Sequence, residues 1–211
     1  MKQYPISRDG WVYVGSLAGL TVLAYLVRPW LAVIPFALFL FVVYFFRNPE
    51  RAIPHDAGTL VAPADGRIMD VERVFEDEFL QSESIRIRIF LSLFNVHVNR
   101  SPLAGTVVFR KYRPGRMLPA FKDHASELNE KNYLGIDSGT LRILVTQVTG
   151  FVARRIVCWV DEGDRLERGE RFGLIKFGSC TELFLPPDVQ ITVKKGDKVR
   201  GGETVVGRVV E

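Results

Sequence analysis

Cysteine is scarce in this chain, with only Cys158 and Cys180 among 211 residues. Neither belongs to a C-x-x-C or Cys/His spacing, so the sequence offers no disulfide framework and no zinc or other metal site, and both are expected to be free thiols in a reducing compartment. Histidine is almost as rare: His55, His97 and His124 are the only side chains whose ordinary pKa lies near neutrality. Dense basic runs are also missing. The formal charge of +4 comes from scattered Lys and Arg without aromatic interleaving, which argues against a nucleic-acid partner. An ordinary basic surface would account for it. So would affinity for anionic lipid headgroups, which attract basic residues beside a membrane anchor by about 1 kcal/mol each.

Charge is wholly absent from two stretches, 11–27 and 31–46, and this tips the balance toward lipid. They are 17 and 16 residues long and are separated only by Arg28, Pro29 and Trp30. As helices each reaches about 25 Å, slightly short of a hydrocarbon core of about 30 Å. A single straight helix would overshoot and bury Arg28 and Pro29. The sequence therefore predicts a membrane-anchoring helical hairpin over residues 1–50, either crossing fully or entering as a shallower re-entrant or interfacial pair, with Trp30 at headgroup level. Lys2, Arg8, Arg47 and Arg51 flank the runs against the single Arg28 between them, which places both ends, and the rest of the chain, on the cytoplasmic side of the cell membrane. A cleaved signal peptide fits less well, because no small-residue cleavage site follows the first run.

Beyond the anchor, residues 51–211 hold no long run of helical periodicity. Short strand-like stretches punctuated by Gly, Pro and Asp predict a mainly β (α+β) unit, a compact barrel or sandwich. In 84–92, Ile85, Ile87 and Ile89 alternate with Arg86 and Arg88, the period of a half-buried strand. Further strands are expected at 66–71, 105–112, 141–148, 151–160, 171–177, 181–185 and 190–193, with one short helix at 118–130. The tail around Lys195-Gly-Asp197 resembles the hairpins of biotinyl- and lipoyl-type barrels, although such turns occur wherever a small barrel needs tight corners.

Four segments carry the residue types of nucleophilic chemistry: Ala62-Pro-Ala-Asp-Gly-Arg67, Phe94-Asn-Val-His-Val-Asn-Arg-Ser-Pro102, Glu127-Leu-Asn-Glu-Lys-Asn132 and Arg171-Phe-Gly-Leu-Ile-Lys-Phe-Gly-Ser-Cys180. A serine hydroxyl becomes a useful nucleophile only when a base takes its proton, and histidine suits that task. A carboxylate on the other imidazole nitrogen fixes the tautomer and stabilises the imidazolium. Singly the residues say little. Asp65 before Gly66 is turn composition, His97 between two valines suits a core histidine, and Ser179 lacks the G-x-S-x-G context.

Taken together and in this order, the segments resemble the phosphatidylserine decarboxylase family in its short form, from Phe45-Phe-Arg-Asn-Pro-Glu-Arg51 to the C-terminus. The resemblance implies self-cleavage between Gly178 and Ser179, giving a large chain 1–178 and a small chain 179–211 that stay together as a heterodimer. It implies that Ser179 becomes a pyruvoyl group, the covalent cofactor, whose ketone takes the amine of phosphatidylserine in the membrane and serves as electron sink for decarboxylation to phosphatidylethanolamine. By position in the motifs, Ser179 is the nucleophile, His97 the base and later a candidate proton donor, and Asp65 the orienting acid. Glycine at 178 leaves the attacked carbonyl unshielded. Leu93, Phe94 and Phe177 are candidates for an apolar wall, and Arg51, Arg100, Arg113 and Arg116 for phosphate binding. His55 and His124 are expected at the surface. Two departures from the long relatives stand out: Phe94 where those carry a histidine, and Cys180 where they carry a hydroxyl residue. A higher homo-oligomer is compatible with all of this.

Three other readings remain. The lipid could be an archaeal-type ether serine phospholipid. The chain could be a non-catalytic membrane adaptor with a biotinyl-like barrel, which would stay full length. It could also be a membrane serine hydrolase that keeps Ser179 unmodified.

Overall fold

The computed structural model describes residues 4–116, 118, 128–150, 155–176 and 179–209, and the chain divides into two compact units, Met1–Glu50 and Arg51–Glu211.

In the first unit, α1 (Trp11–Val27) follows a short 3-10 turn at Arg8–Gly10, and α2 (Val33–Phe45) follows another at Pro29–Ala32. The sequence predicted the first helix at its observed limits. The second starts later than 31, because Pro29 and Trp30 occupy a 3-10 turn before regular helix begins. The ends of the pair are tied by backbone bonds from Ser7 N to the Phe46 carbonyl and from Asn48 N to the Pro5 carbonyl. Gly10 is required there, since a Cβ would lie 2.5 Å from the Phe46 ring. Apolar side chains of the pair point outward, Val12 and Leu26 each 76% exposed. The stretch Arg8–Val27 is long and apolar enough to cross a membrane, whereas Pro29–Phe45 is shorter.

The second unit is built almost entirely of strands. They are β1 (Thr59–Val61), β2 (Gly66–Glu76), β3 (Ser82–Leu91), β4 (Val98–Arg100), β5 (Gly105–Arg113), β6 (Lys131–Asp137), β7 (Arg142–Thr149), β8 (Arg155–Cys158), β9 (Arg165–Leu166), β10 (Arg171–Lys176), β11 (Ser179–Leu185), β12 (Val189–Ile191), β13 (Lys198–Val199) and β14 (Val205–Val209). An eight-stranded antiparallel sheet runs β13-β2-β3-β11-β7-β6-β5-β9 and curls into a half-barrel. Two three-stranded sheets, β1-β14-β12 and β4-β10-β8, complete the unit. The mainly β expectation holds, with longer β2 and β3 than predicted and with β1, β4, β6, β9, β13 and β14 in addition. The expected strand 151–160 is observed as Arg155–Cys158, and its first four residues lie outside the described ones. The expected helix at 118–130 falls mostly outside them too. Of its described part, Asn129 bridges to Arg116.

Alternation sets the core. Ile87, Ile89 and Leu91 of β3 meet Leu183, Leu185, Ile143 and Val145 from neighbouring strands, all fully buried. The opposite face is not simply wet, as a half-buried strand would have it. Arg88 is 8% exposed and donates through Nε to Asp70 at 2.6 Å. Tyr133, Leu144 and Phe184 on that face form a second cluster with Phe79, Leu80 and Phe109. The turn carrying Phe79 is held by the Glu76 carboxylate, which accepts the backbone N–H groups of Glu78, Phe79 and Leu80 at 2.9, 2.9 and 2.6 Å. Lys195-Gly-Asp197 forms a tight turn, Asp197 N donating to the Lys194 carbonyl at 3.1 Å with Gly196 at φ +95°, where a side chain would be strained, but the strands it joins, β12 and β13, lie in different sheets and make no hairpin.

Candidate active site

Ser179 begins β11, in the middle of the large sheet, where its backbone pairs with Leu91 on one side and Thr149 on the other. A strand held along both edges keeps its first residue in place. His97 immediately precedes β4. It is 2% exposed, and its carbonyl accepts the Ile175 N–H at 3.2 Å. Asp65 lies in the turn that feeds β2, where Gly66 must pass so close that a Cβ would stand 2.2 Å from the Phe90 carbonyl oxygen.

These three segments are joined by one buried amide. Asn99 is fully buried; its Nδ2 donates to Thr181 Oγ1 at 3.0 Å and to the Pro63 carbonyl at 3.4 Å, while its Oδ1 accepts from Gln147 at 2.9 Å. Gln147 in turn accepts from Asn132 at 3.0 Å. Pro63, Asn99 and Thr181 each stand two residues along the chain from Asp65, His97 and Ser179. The network brings all three sequence-predicted segments to one locus. Sequence reading passed over Asn99, although alternation along 97–99 places it on the same face as His97.

The polar contacts of the predicted residues are specific. Arg51 Nη2 donates to both Asp65 oxygens, at 3.0 Å (Oδ1) and 2.8 Å (Oδ2), and Oδ1 also accepts the Gly201 N–H at 2.8 Å. Arg51 reaches Glu203 at 3.4 Å as well, and Glu203 accepts from Ala52 N at 3.3 Å. His97 Nδ1 lies 3.0 Å from the Asn95 carbonyl oxygen. Gly178 and Phe177 are outside the described residues. Cys180 is buried, and desolvation pushes its thiol pKa well up, so it is an inert neighbour of Ser179.

The four phosphate candidates separate by burial. Arg51 is committed to two carboxylates. Arg100 is 5% exposed, donates to the Gly169 carbonyl at 2.8 Å, and is held down to about 10 by burial and by the nearby charges of Arg171 and Arg51. Arg116 is exposed and Arg113 partly so, at the Ser179 end of the sheet, beside β6. Phe94 is 67% exposed, so it forms no buried wall. His55 is exposed and lines a cavity of about 520 Å³ with Leu60, Leu103 and Arg168 at the 138–140 turn, the far end of the sheet from Ser179. His124 is outside the described residues.

Comparison with known proteins identifies the family. The family described as phosphatidylserine decarboxylase matches residues 38–207. The phosphatidylserine decarboxylase proenzyme of Carboxydothermus hydrogenoformans is 53% identical over 203 residues, covering 96% of this chain and 95% of that one. The proenzyme of Symbiobacterium thermophilum is 50% identical over 210 residues, covering 99% and 98%. That of Syntrophus aciditrophicus is 43% identical, with 96% of each covered. With likeness of this extent over nearly its whole length, the chain belongs to the phosphatidylserine decarboxylase family and is a decarboxylase.

Proposed function

We propose that the chain cuts itself between Gly178 and Ser179 and then decarboxylates phosphatidylserine to phosphatidylethanolamine at the cytoplasmic face of the cell membrane. Ser179 Oγ attacks the Gly178 carbonyl carbon while His97 takes the hydroxyl proton. The C–N bond breaks as the C–O bond forms, and the proton passes to the released amine. Loss of the Cα proton of residue 179 then forms a Cα=Cβ double bond as the Cβ–Oγ bond breaks and the Gly178 carboxylate leaves, and the resulting enamine tautomerises to an imine. Hydrolysis with loss of ammonia leaves a pyruvoyl cap on the chain 179–211. That cap supplies a ketone that takes the substrate amine and draws off the electron pair left by carbon dioxide.

The remaining work belongs to the chain's own side chains. His97, relieved of its first duty, holds the proton that returns to the product carbon. The Asp65 carboxylate offsets the positive charge that His97 gains. Arg116 and Arg113 are suited to meet the lipid phosphate. After the cut, Arg51 and Asp65 belong to the large chain and Gly201 and Glu203 to the small one, so their contacts help hold the pair together. The flanking cations Lys2, Arg8, Arg47 and Arg51 support the cytoplasmic placement.

The observation that carries this reading is the buried Asn99 amide, which binds the segments of Asp65, His97 and Ser179 together. Intact-mass analysis tests it. Wild-type protein is expected as two chains, the smaller with a blocked terminus, releasing carbon dioxide from phosphatidylserine vesicles. Ser179→Ala is expected as one inactive chain. A full-length wild-type chain with no lyase activity would overturn the reading.

A further inference from the structure

A carbonyl oxygen can only accept a hydrogen bond, so the 3.0 Å contact between the Asn95 carbonyl and His97 Nδ1 is a bond only when Nδ1 carries the proton. Nε2 of the neutral ring then bears the lone pair. The carbonyl that imposes this is itself fixed. Asn95 N donates to the Ser92 carbonyl at 2.9 Å, and Asn95 Oδ1 accepts from Ser92 N at 2.9 Å and Ser92 Oγ at 2.7 Å. On the far side of the histidine, the Ile175 N–H secures its backbone. The Asp65 carboxylate, meanwhile, has Arg51 on both oxygens and Gly201 N on one.

We propose that the Asn95 carbonyl, presented by the Ser92–Asn95 turn, fixes His97 as the Nδ1–H tautomer. Ser92 and Asn95 are then positioning residues for the proton transfer, and Asp65 contributes charge but not the choice of tautomer. This rests on the proposed self-cutting, in which His97 is the base. The division of labour has a chemical advantage: a backbone carbonyl does not titrate, so the lone pair stays on Nε2 whatever the state of nearby carboxylates. The opposite tautomer would offer Nε2–H, which cannot take a proton from a hydroxyl at that nitrogen.

The test uses the full chain with Ser179→Ala, so that it remains uncut, labelled with nitrogen-15 histidine. His97 is assigned by loss of its resonances in His97→Gln. With the ring neutral, Nδ1 is expected at the shift of a protonated nitrogen and Nε2 at that of a bare one. In otherwise wild-type protein, Ser92→Ala with Asn95→Ala is expected to slow self-cutting about tenfold through a displaced base. Its unfolding midpoint should fall only slightly, as loss of the Ser92–Asn95 bonds requires, with the protein still folded under the assay conditions, and Asn95→Asp, which keeps the acceptor for the Ser92 donors, should retain most of the rate. A ring protonated on Nε2, or undiminished cutting in the double variant, overturns the inference. If His97→Gln cuts at the wild-type rate, the base assignment itself fails. If that variant stays uncut and the ring is Nε2–H, the base stands and only the tautomer inference falls.

Discussion

The two units of this chain place their side chains by opposite rules. In the helical pair, leucines and valines point out: Leu23 is 61% exposed and Leu26 76%. In the β unit, Asn99, Gln147, Thr181 and Glu182 are 1% exposed or less, deeper than many leucines elsewhere. The difference follows from the surrounding solvent. Apolar surface turned outward is costly against water and costs nothing against lipid, whereas a polar group can be buried only when its hydrogen bonds are met from within. The pair satisfies its backbone internally and turns apolar surface outward, and its stretch Arg8–Val27 is long and apolar enough to cross a membrane. The β unit buries amides that fix where the segments of Asp65, His97 and Ser179 meet.

Removing residues 1–50 should separate the two roles most sharply. The remaining unit is expected to cut itself, yet its turnover of vesicle phosphatidylserine should fall by about 10²-fold or more, because the anchor supplies local concentration. Loss of self-cutting on truncation would break the division. Within the β unit, Asn99→Leu should lower stability by about 2–5 kcal/mol in denaturant unfolding, since Thr181 Oγ1 loses its Asn99 donor and Gln147 Nε2 keeps only the Val157 carbonyl at 3.4 Å. Gly66→Ala should cost about 1–3 kcal/mol, because its Cβ meets the backbone of Phe90 and not a movable side chain.

Alkali should weaken the β unit more gently. The folded Cys180 thiol titrates well above its ordinary value of 9.0 through burial, so the unfolded chain loses that proton first. Its contribution is complete below about pH 9 and declines above it by at most about 1.4 kcal/mol per pH unit. Tyr133, pushed up to about 12 by burial, acts in the same direction from its ordinary 10.0, and Arg100, held down to about 10, acts in the opposite one. The slope of stability against pH between 9 and 10.5 should therefore flatten in Cys180→Ala. The smallest effect belongs to the helical pair: Leu26→Ala in detergent should change stability by less than about 0.5 kcal/mol, since that side chain is 76% exposed. A cost above 1 kcal/mol would mean that the pair's outer face is covered by protein.

Much of the architecture was legible because it depends on local chemistry. Two uncharged runs divided by Arg28-Pro29-Trp30 specify a helical hairpin whatever follows them. The alternation of Ile85, Ile87 and Ile89 specifies β3. The short strands β1, β9 and β13 carry too few residues to show a period, and exist because longer neighbours offer them a ladder. Burial of Arg88 was equally hidden, since an alternating Arg looks like a wet face until the rest of the chain covers it and supplies Asp70. The family motifs brought Asp65, His97 and Ser179 into view. They said nothing of Asn99, whose partners lie 36, 48 and 82 positions away in sequence.

Composition and short-range pattern thus determined that this chain would carry an apolar hairpin and a β unit, and the family motifs singled out Asp65, His97 and Ser179. Only the tertiary structure decided that Arg51 and Gly201 grip Asp65, that a backbone carbonyl faces the His97 ring, and that β11 is held along both edges. Hydrophobic period is a property of neighbours along the chain, and hydrogen-bond partnership is a property of neighbours in space.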